Sequence, residues 1–216
     1  MQDKFSINCS KCFRLVEFLN EVRIKYPGYY AKPVPDFGDV SSKLLIIGLA
    51  PGMHGANQTG RPFTGDFAGI LLYKTLYKYG FSNQENSISL NDGFKLIGCR
   101  ITNAVKCLPP LNKPEPSEIR NCNGYLSVEI KNFKANGGLI LLALGAVAHR
   151  SVLMALELKS KDYPFGHGFI HKLPNNLTLY DSYHCSRYNT QTKRLTIDMF
   201  EQVFKKISSN LLLNKK

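Results

Sequence analysis

The chain predicts an α/β fold: a single domain, residues 1–216, with a central four-stranded parallel sheet flanked by helices on both faces. Three observations carry that prediction. Short strand-like runs recur at residues 44–47, 100–105, 138–144 and 177–183, each of the length of a buried strand. Segments with helical spacing of apolar residues separate them, an alternation that suits parallel strands covered on both sides. A length of 216 residues with 44% hydrophobic content is enough for one well-buried domain and too short for two.

Taken in order, Cys9 and Cys12 open a helix in which Leu15, Phe18, Leu19 and Val22 repeat at helical spacing, and Pro27-Gly28 stops it. Residues 32–39, rich in proline and aspartate, read as an extended loop that leads into the first strand. That strand breaks at Gly48 into a long loop of Gly, Pro and Asn. Asp66 then stands where a helix N-cap belongs, and Gly80 marks the helix end. Residues 82–92 are polar and turn-like. The second strand runs into Cys107-Leu108-Pro109-Pro110. A helix over 114–133 follows, entered through prolines, with Ile119, Cys122, Leu126, Ile130 and Phe133 along one side. The third strand is fully apolar and passes through Gly145 into a helix of about a dozen residues. The last helix begins near Thr196, with Met199, Phe200, Val203, Phe204 and Ile207 on one face.

The loop after the first strand is neither a Walker A sequence nor a Gly-x-Gly-x-x-Gly, so it does not favour a nucleotide phosphate. It is almost entirely neutral between Gly48 and Gly60, with Arg61 and Asp66 at its far end. A neutral, glycine-rich pocket suits a flat uncharged ligand such as a nucleobase. Gly48, Asn103 and His184 all fall at strand ends, which converge on one edge of such a sheet. The formal charge of +12, from 28 basic and 16 acidic residues, fits a face that meets a polyanion. No apolar run is long enough for a membrane span or reads as a signal peptide. The expectation is a soluble intracellular protein whose six cysteines are reduced. In that compartment they ask for a metal or for burial. Cys9-x2-Cys12 and Cys107-x14-Cys122 are unevenly spaced, and the spacing alone leaves a cluster, zinc and free buried thiols open.

Several stretches together resemble one family. Gly48-Leu49-Ala50-Pro51-Gly52 and the run from Gly55 through Asn57, Arg61 and Phe63 to Asp66 closely resemble the first motif of the family 5 (B-type) uracil-DNA glycosylases. Residues 31–35, 101–107 and 184–190 agree in order, so the resemblance covers most of the chain. It implies a monofunctional DNA glycosylase that extrudes and excises uracil, leaving an abasic site, with hypoxanthine and other deaminated bases as further substrates. It also implies a monomer acting on nucleoid DNA in the cytoplasm. His184 would donate to the uracil O2, Asn103 would read the base edge, and Phe63 would stack on the base. Gly48, Leu49, Ala50, Pro51, Gly52 and Asn57 would shape the pocket. Cys9, Cys12, Cys107 and Cys122 would hold a structural 4Fe-4S cluster. Cys99 reads as an ordinary buried thiol.

Absences and alternatives sharpen this reading. Leu49-Ala50 stands where related families carry a polar or acidic group, so Asp66 is the nearest acid that can position water, besides capping a helix. That gap also disfavours the alternative of a family 4 enzyme. A non-catalytic, metal-stabilised DNA-binding module would keep the charge and cysteines but leave the motif of residues 57–66 unexplained. The family's His-Pro-Ser is His184-Cys185-Ser186 here, so a somewhat more mobile loop is expected, with Cys185 neither nucleophile nor ligand. Arg187 and Tyr188 stand at the loop tip, where the superfamily pushes a side chain into the duplex.

Overall fold

The computed structural model describes residues 5–213. Helix α1 (Phe13–Lys25) is followed by strands β1 (Phe37–Gly38) and β2 (Leu44–Gly48), then by the short helix α2 (Ala56–Thr59) and by α3 (Phe67–Lys78). Strand β3 (Cys99–Asn103), α4 (Pro116–Ala135), β4 (Ile140–Leu144) and α5 (Ala146–Ala155) come next. The chain ends with β5 (Ile170–Lys172), β6 (Thr178–Ser182), α6 (Arg187–Gln191) and α7 (Ile197–Leu213).

The four expected strands are the parallel centre of the sheet, in the order β3-β2-β4-β6. The sheet itself has six strands, not four, and is mixed. Strand β1 pairs antiparallel with β3 at one edge, and β5 pairs antiparallel with β6 at the other. Both were unreadable for the same reason. Two and three residues are too few to show an alternating pattern, and β1 lies within the stretch that proline and aspartate mark as loop.

Alternation along the buried strands sorts the core into two layers. Leu44, Ile46, Ile101 and Leu142 face α3 and α7 through Leu72, Leu76, Phe200 and Phe204. Leu45, Ile47, Leu141 and Leu179 face α4 and α5 through Leu126, Ile130, Phe133 and Val152. Each such side chain, taken fully from water, contributes about 1.5–3 kcal/mol. A smaller third cluster packs Leu15, Leu19 and Val22 of α1 against Val105, Leu108 and Tyr125. None of the described helices is long and apolar enough to cross a membrane.

A buried ion pair lies inside this framework. Lys106 is 1% exposed, and its Nζ donates to both carboxylate oxygens of Glu129 on α4, at 2.7 and 2.8 Å. It also donates to Thr102, whose hydroxyl donates to Glu129 at 2.8 Å. This network fastens the segment after β3 to α4. Glu129→Ala would leave a buried ammonium without its counter-charge and should lower unfolding stability by about 3–5 kcal/mol, read by chemical denaturation. Lys106→Met with Glu129→Leu together should cost far less.

Candidate active site and four-thiol centre

The carboxyl ends of the parallel strands meet around a cavity of about 500 Å3. Leu49, Ala50 and Gly52 enter it from the loop after β2, and Phe63 and Asp66 from the end of that loop. Asn103 closes β3. His184, Arg187 and Tyr188 come from the turn after β6, and Asn112 comes from a 3-10 turn at residues 110–112. Chain reversal at β2, with β3 on one side and β4 on the other, opens this edge of the sheet.

Two glycines set the geometry. Gly48 pairs with Asn103 across β2 and β3, and a Cβ there would strike the Asn103 amide oxygen and lie 2.7 Å from the Phe63 ring. Gly69, in the first turn of α3, lies directly against the Phe63 carbonyl and leaves no room for any side chain. Phe63 itself has a left-handed backbone, φ +57°, unusual for an aromatic residue and a mark of local strain at a site. Its ring is buried at 5% exposure and lies 26° from the plane of the His184 imidazole, 6.0 Å between centroids.

Asp66 is the helix cap expected of it, and it also borders the cavity. Its Oδ1 accepts from the Gly69 amide at 2.7 Å, capping α3, while the side chain lines the cavity. Burial raises its pKa, and the amides of Gly69 and Ala68 offset only part of that. His184 is half-buried, and desolvation lowers its pKa to about 4, so the ring is neutral at physiological pH. Asn103 is 3% exposed, and its Oδ1 is buried without a partner. An orphaned acceptor costs about 1–3 kcal/mol and is kept where a ligand supplies the donor.

Other expected residues fall elsewhere. Gly48 lies beneath the cavity, and Pro51 and Asn57 do not line it. Asn57 is fully buried; its N–H donates to Gly52 at 3.1 Å and its carbonyl accepts from Ala31 at 2.9 Å, which fastens the loop from behind. Cys185 is not an open loop residue but a core side chain at 0% exposure, its thiol pKa raised by that burial. Tyr188 is 70% exposed at the cavity mouth, and the Arg187 guanidinium sits 5.0 Å over the Phe67 ring. Phe67, Ala68 and Asn112 line the cavity without having been singled out. The first two follow from an N-cap at Asp66, which turns the first turn of α3 toward the ligand. Asn112 had no such signal.

Beyond the same end of β3, in the segment that follows it, Cys107 lines one small cavity with Cys9, Cys12, Cys122, Leu15, Pro33 and Tyr125. Among the described residues, no carboxylate borders it. The Lys106 amide donates to the Cys122 sulfur at 3.2 Å, the Tyr125 hydroxyl to Cys9 at 3.2 Å and the Asn121 amide to Cys12 at 3.6 Å. Burial, and then the proximity of the other sulfurs, raises the Cys107 pKa, and Cys122 is pushed up to about 11. Four sulfurs around one small cavity, with hydrogen bonds aimed at three of them, form a donor set for a soft cationic centre. Cys99 stands apart, fully buried in the main core.

A family model described as the uracil DNA glycosylase superfamily matches residues 35–208. A type-5 uracil-DNA glycosylase of Thermus thermophilus is 42% identical over 90% of this chain and 90% of its own length. A type-5 uracil-DNA glycosylase of Pyrobaculum aerophilum is 36% identical over 94% of this chain and 89% of its own. A type-4 uracil-DNA glycosylase of Saccharolobus solfataricus is 28% identical over 82% of this chain and 76% of its own.

Gly69→Ala tests the packing that holds Phe63. The methyl group has no space beside the Phe63 carbonyl, so overpacking should lower stability by about 1–3 kcal/mol despite the better helix propensity of alanine. A thermal unfolding temperature equal to or above that of the parent chain would contradict this.

Proposed function

The chain belongs to the uracil DNA glycosylase superfamily, and we propose that its cavity takes an extruded base and hydrolyses the N-glycosidic bond, leaving an abasic site in DNA. Uracil is the substrate. Bases made by other deaminations, hypoxanthine first, are further ones. The observation that carries this range is the unpaired Asn103 oxygen at the cavity edge. Deamination replaces a ring acceptor and an amino donor with a ring N–H and a carbonyl. An asparagine amide complements that pair, Oδ1 accepting the N–H and Nδ2 donating to the carbonyl. Uracil and hypoxanthine share the pattern, and a cavity of about 500 Å3 has room for a purine.

Catalysis then rests on charge placed where it develops. Bond breaking leaves negative charge on the departing base and positive charge on the sugar. His184, neutral because burial lowers its pKa to about 4, donates to the base oxygen and gains strength as charge grows there. Phe63 covers one face of the base, and Leu49 and Ala50 border the cavity without adding charge. Asp66 orients water toward the sugar and, as a carboxylate, favours the cationic centre. At the mouth, Tyr188 stacks against the opened duplex while Arg187 meets the backbone. The protein acts as a monomer on nucleoid DNA, its +12 charge supplying attraction to phosphate.

Cys9, Cys12, Cys107 and Cys122 would hold a 4Fe-4S cluster. When bound it supplies a rigid cross-link between the start of α1, the segment after β3 and α4, and no step of hydrolysis passes through it.

Treatment of a uracil-containing duplex with the protein and then alkali should cut the strand at uracil, and a hypoxanthine duplex should be cut more slowly. Intact strands in both cases would remove the glycosylase reading. Asp66 gives a pH signature. Its folded pKa lies above the unfolded value, so the rate should fall as pH drops through that raised pKa. Asp66→Asn should abolish this acid limb and lower single-turnover excision about 10²–10⁴-fold. The same shift means the ionised carboxylate weakens the fold at neutral pH, so Asp66→Asn should leave the unfolding temperature at pH 7 unchanged or higher. That difference should vanish below the unfolded carboxylate pKa. Anaerobically purified protein should be brown and carry about four irons and four sulfides per chain. Colourless protein holding one zinc ion would overturn the cluster.

A further inference from the structure

Leu111 is 86% exposed, more open than the other exposed large apolar side chains among the described residues. It does not line the cavity, but its neighbour Asn112 does, so Leu111 stands at the mouth. Both residues have left-handed backbones, φ +55° and +56°, a conformation that a leucine rarely adopts. Strain of this kind persists where the surroundings hold it, and it gathers at ligand-contacting sites. Here the surroundings are stiff. Pro109 and Pro110 restrict the approach. The Asn112 amide donates to the Pro109 carbonyl at 3.1 Å and the Lys113 amide to the Pro110 carbonyl at 3.0 Å. Upstream, Cys107 and Leu108 are buried. Downstream, the Lys113 carbonyl accepts from Arg14 at 3.2 Å, and the same guanidinium grips Glu118 in the capping box that starts α4.

An apolar side chain on such a mount buries nothing in the folded protein, so its use lies outside it. Tyr188, 70% exposed, stands at the same mouth. We propose that Leu111 is a second wedge, which enters the duplex beside the extruded nucleotide and with Tyr188 fills the stack it vacates. The proposal rests on the reading of the cavity as a site for an extruded base. Apolar side chains inserted between base steps unstack and kink the duplex, and a rigid mount spares the ordering that a mobile loop would require. Lys113 and Arg187, both exposed and basic, flank the two wedges for phosphate contact.

Leu111→Gly separates this role from folding, because glycine relieves the left-handed strain and the unfolding temperature should hold or rise. Excision from a duplex should fall about tenfold, while excision from a single strand stays unchanged. Equal losses on both substrates, or no loss on the duplex, would overturn the wedge. A second readout needs no cleavage: 2-aminopurine placed opposite a tetrahydrofuran abasic analogue. The parent protein should change its fluorescence and Leu111→Gly should change it less; identical signals would also overturn the proposal. Failure of the parent protein to release uracil from either substrate would count against the glycosylase reading and not against the wedge, which the fluorescence still decides.

Discussion

The close packing at the end of β2 is the constraint on which the site depends. Gly48 and Gly69 are the two places where backbone must lie against the groups that line the cavity. With no Cβ at either, Asn103 can lie beside β2, and Phe63 can take a left-handed backbone with its carbonyl against α3. That same turn of α3 brings the Gly69 amide to Asp66. Three side chains of the cavity, two from the loop after β2 and one from the end of β3, are therefore positioned by these two close contacts. The rigidity of strand and helix passes directly to them.

A second support lies behind β3. The segment after that strand is fastened twice, through the buried Lys106–Glu129 pair and through Cys107 among the four thiols. Strand β3 ends in Asn103 on one side of this segment, and the Pro-Pro turn leaves on the other. Asn103 and the cavity mouth thus share an anchor.

Much of this was legible because strong local signals coincide with strand ends. The apolar strands, the caps and the helix faces fixed the layers, and the loop from Gly48 to Asp66 was long and distinctive enough to mark the site. What escaped was either too short to have a period or decided by tertiary packing. Strands β1 and β5 belong to the first kind. Asn57 belongs to the second: its motif suggested a ligand contact, yet its side chain is buried and its backbone secures the loop. Cys185 looked like a substituted loop residue and proves to be core, because the chain after β6 dives under α3 before it reaches the surface. The polar stretch over 82–92 looked featureless. It is ordered by Arg61, buried at 5% exposure, whose guanidinium meets Asp92 at 2.7 Å and Ser87 at 2.8 Å and stacks on Phe37 at 4.6 Å. Burial alone would favour a neutral Asp92, but Arg61 and three backbone amides outweigh it and hold the carboxyl well below its usual range. No local pattern in sequence announces a partner thirty or so residues away.

The two edge strands have a consequence for life at high concentration. A sheet whose outermost strands were long and apolar would offer a row of free amides and carbonyls to any passing chain. Here the sheet ends in strands of two and three residues, and β5 carries Lys172 and an intermediate His171. Each reversed strand closes an all-parallel centre with a rim of two or three residues, which gives another sheet little to extend. The fold thereby keeps its most aggregation-prone sequence, the apolar runs of β2 and β4, two positions in from either edge, and resists self-association by strand addition without a helix or loop set aside to guard it.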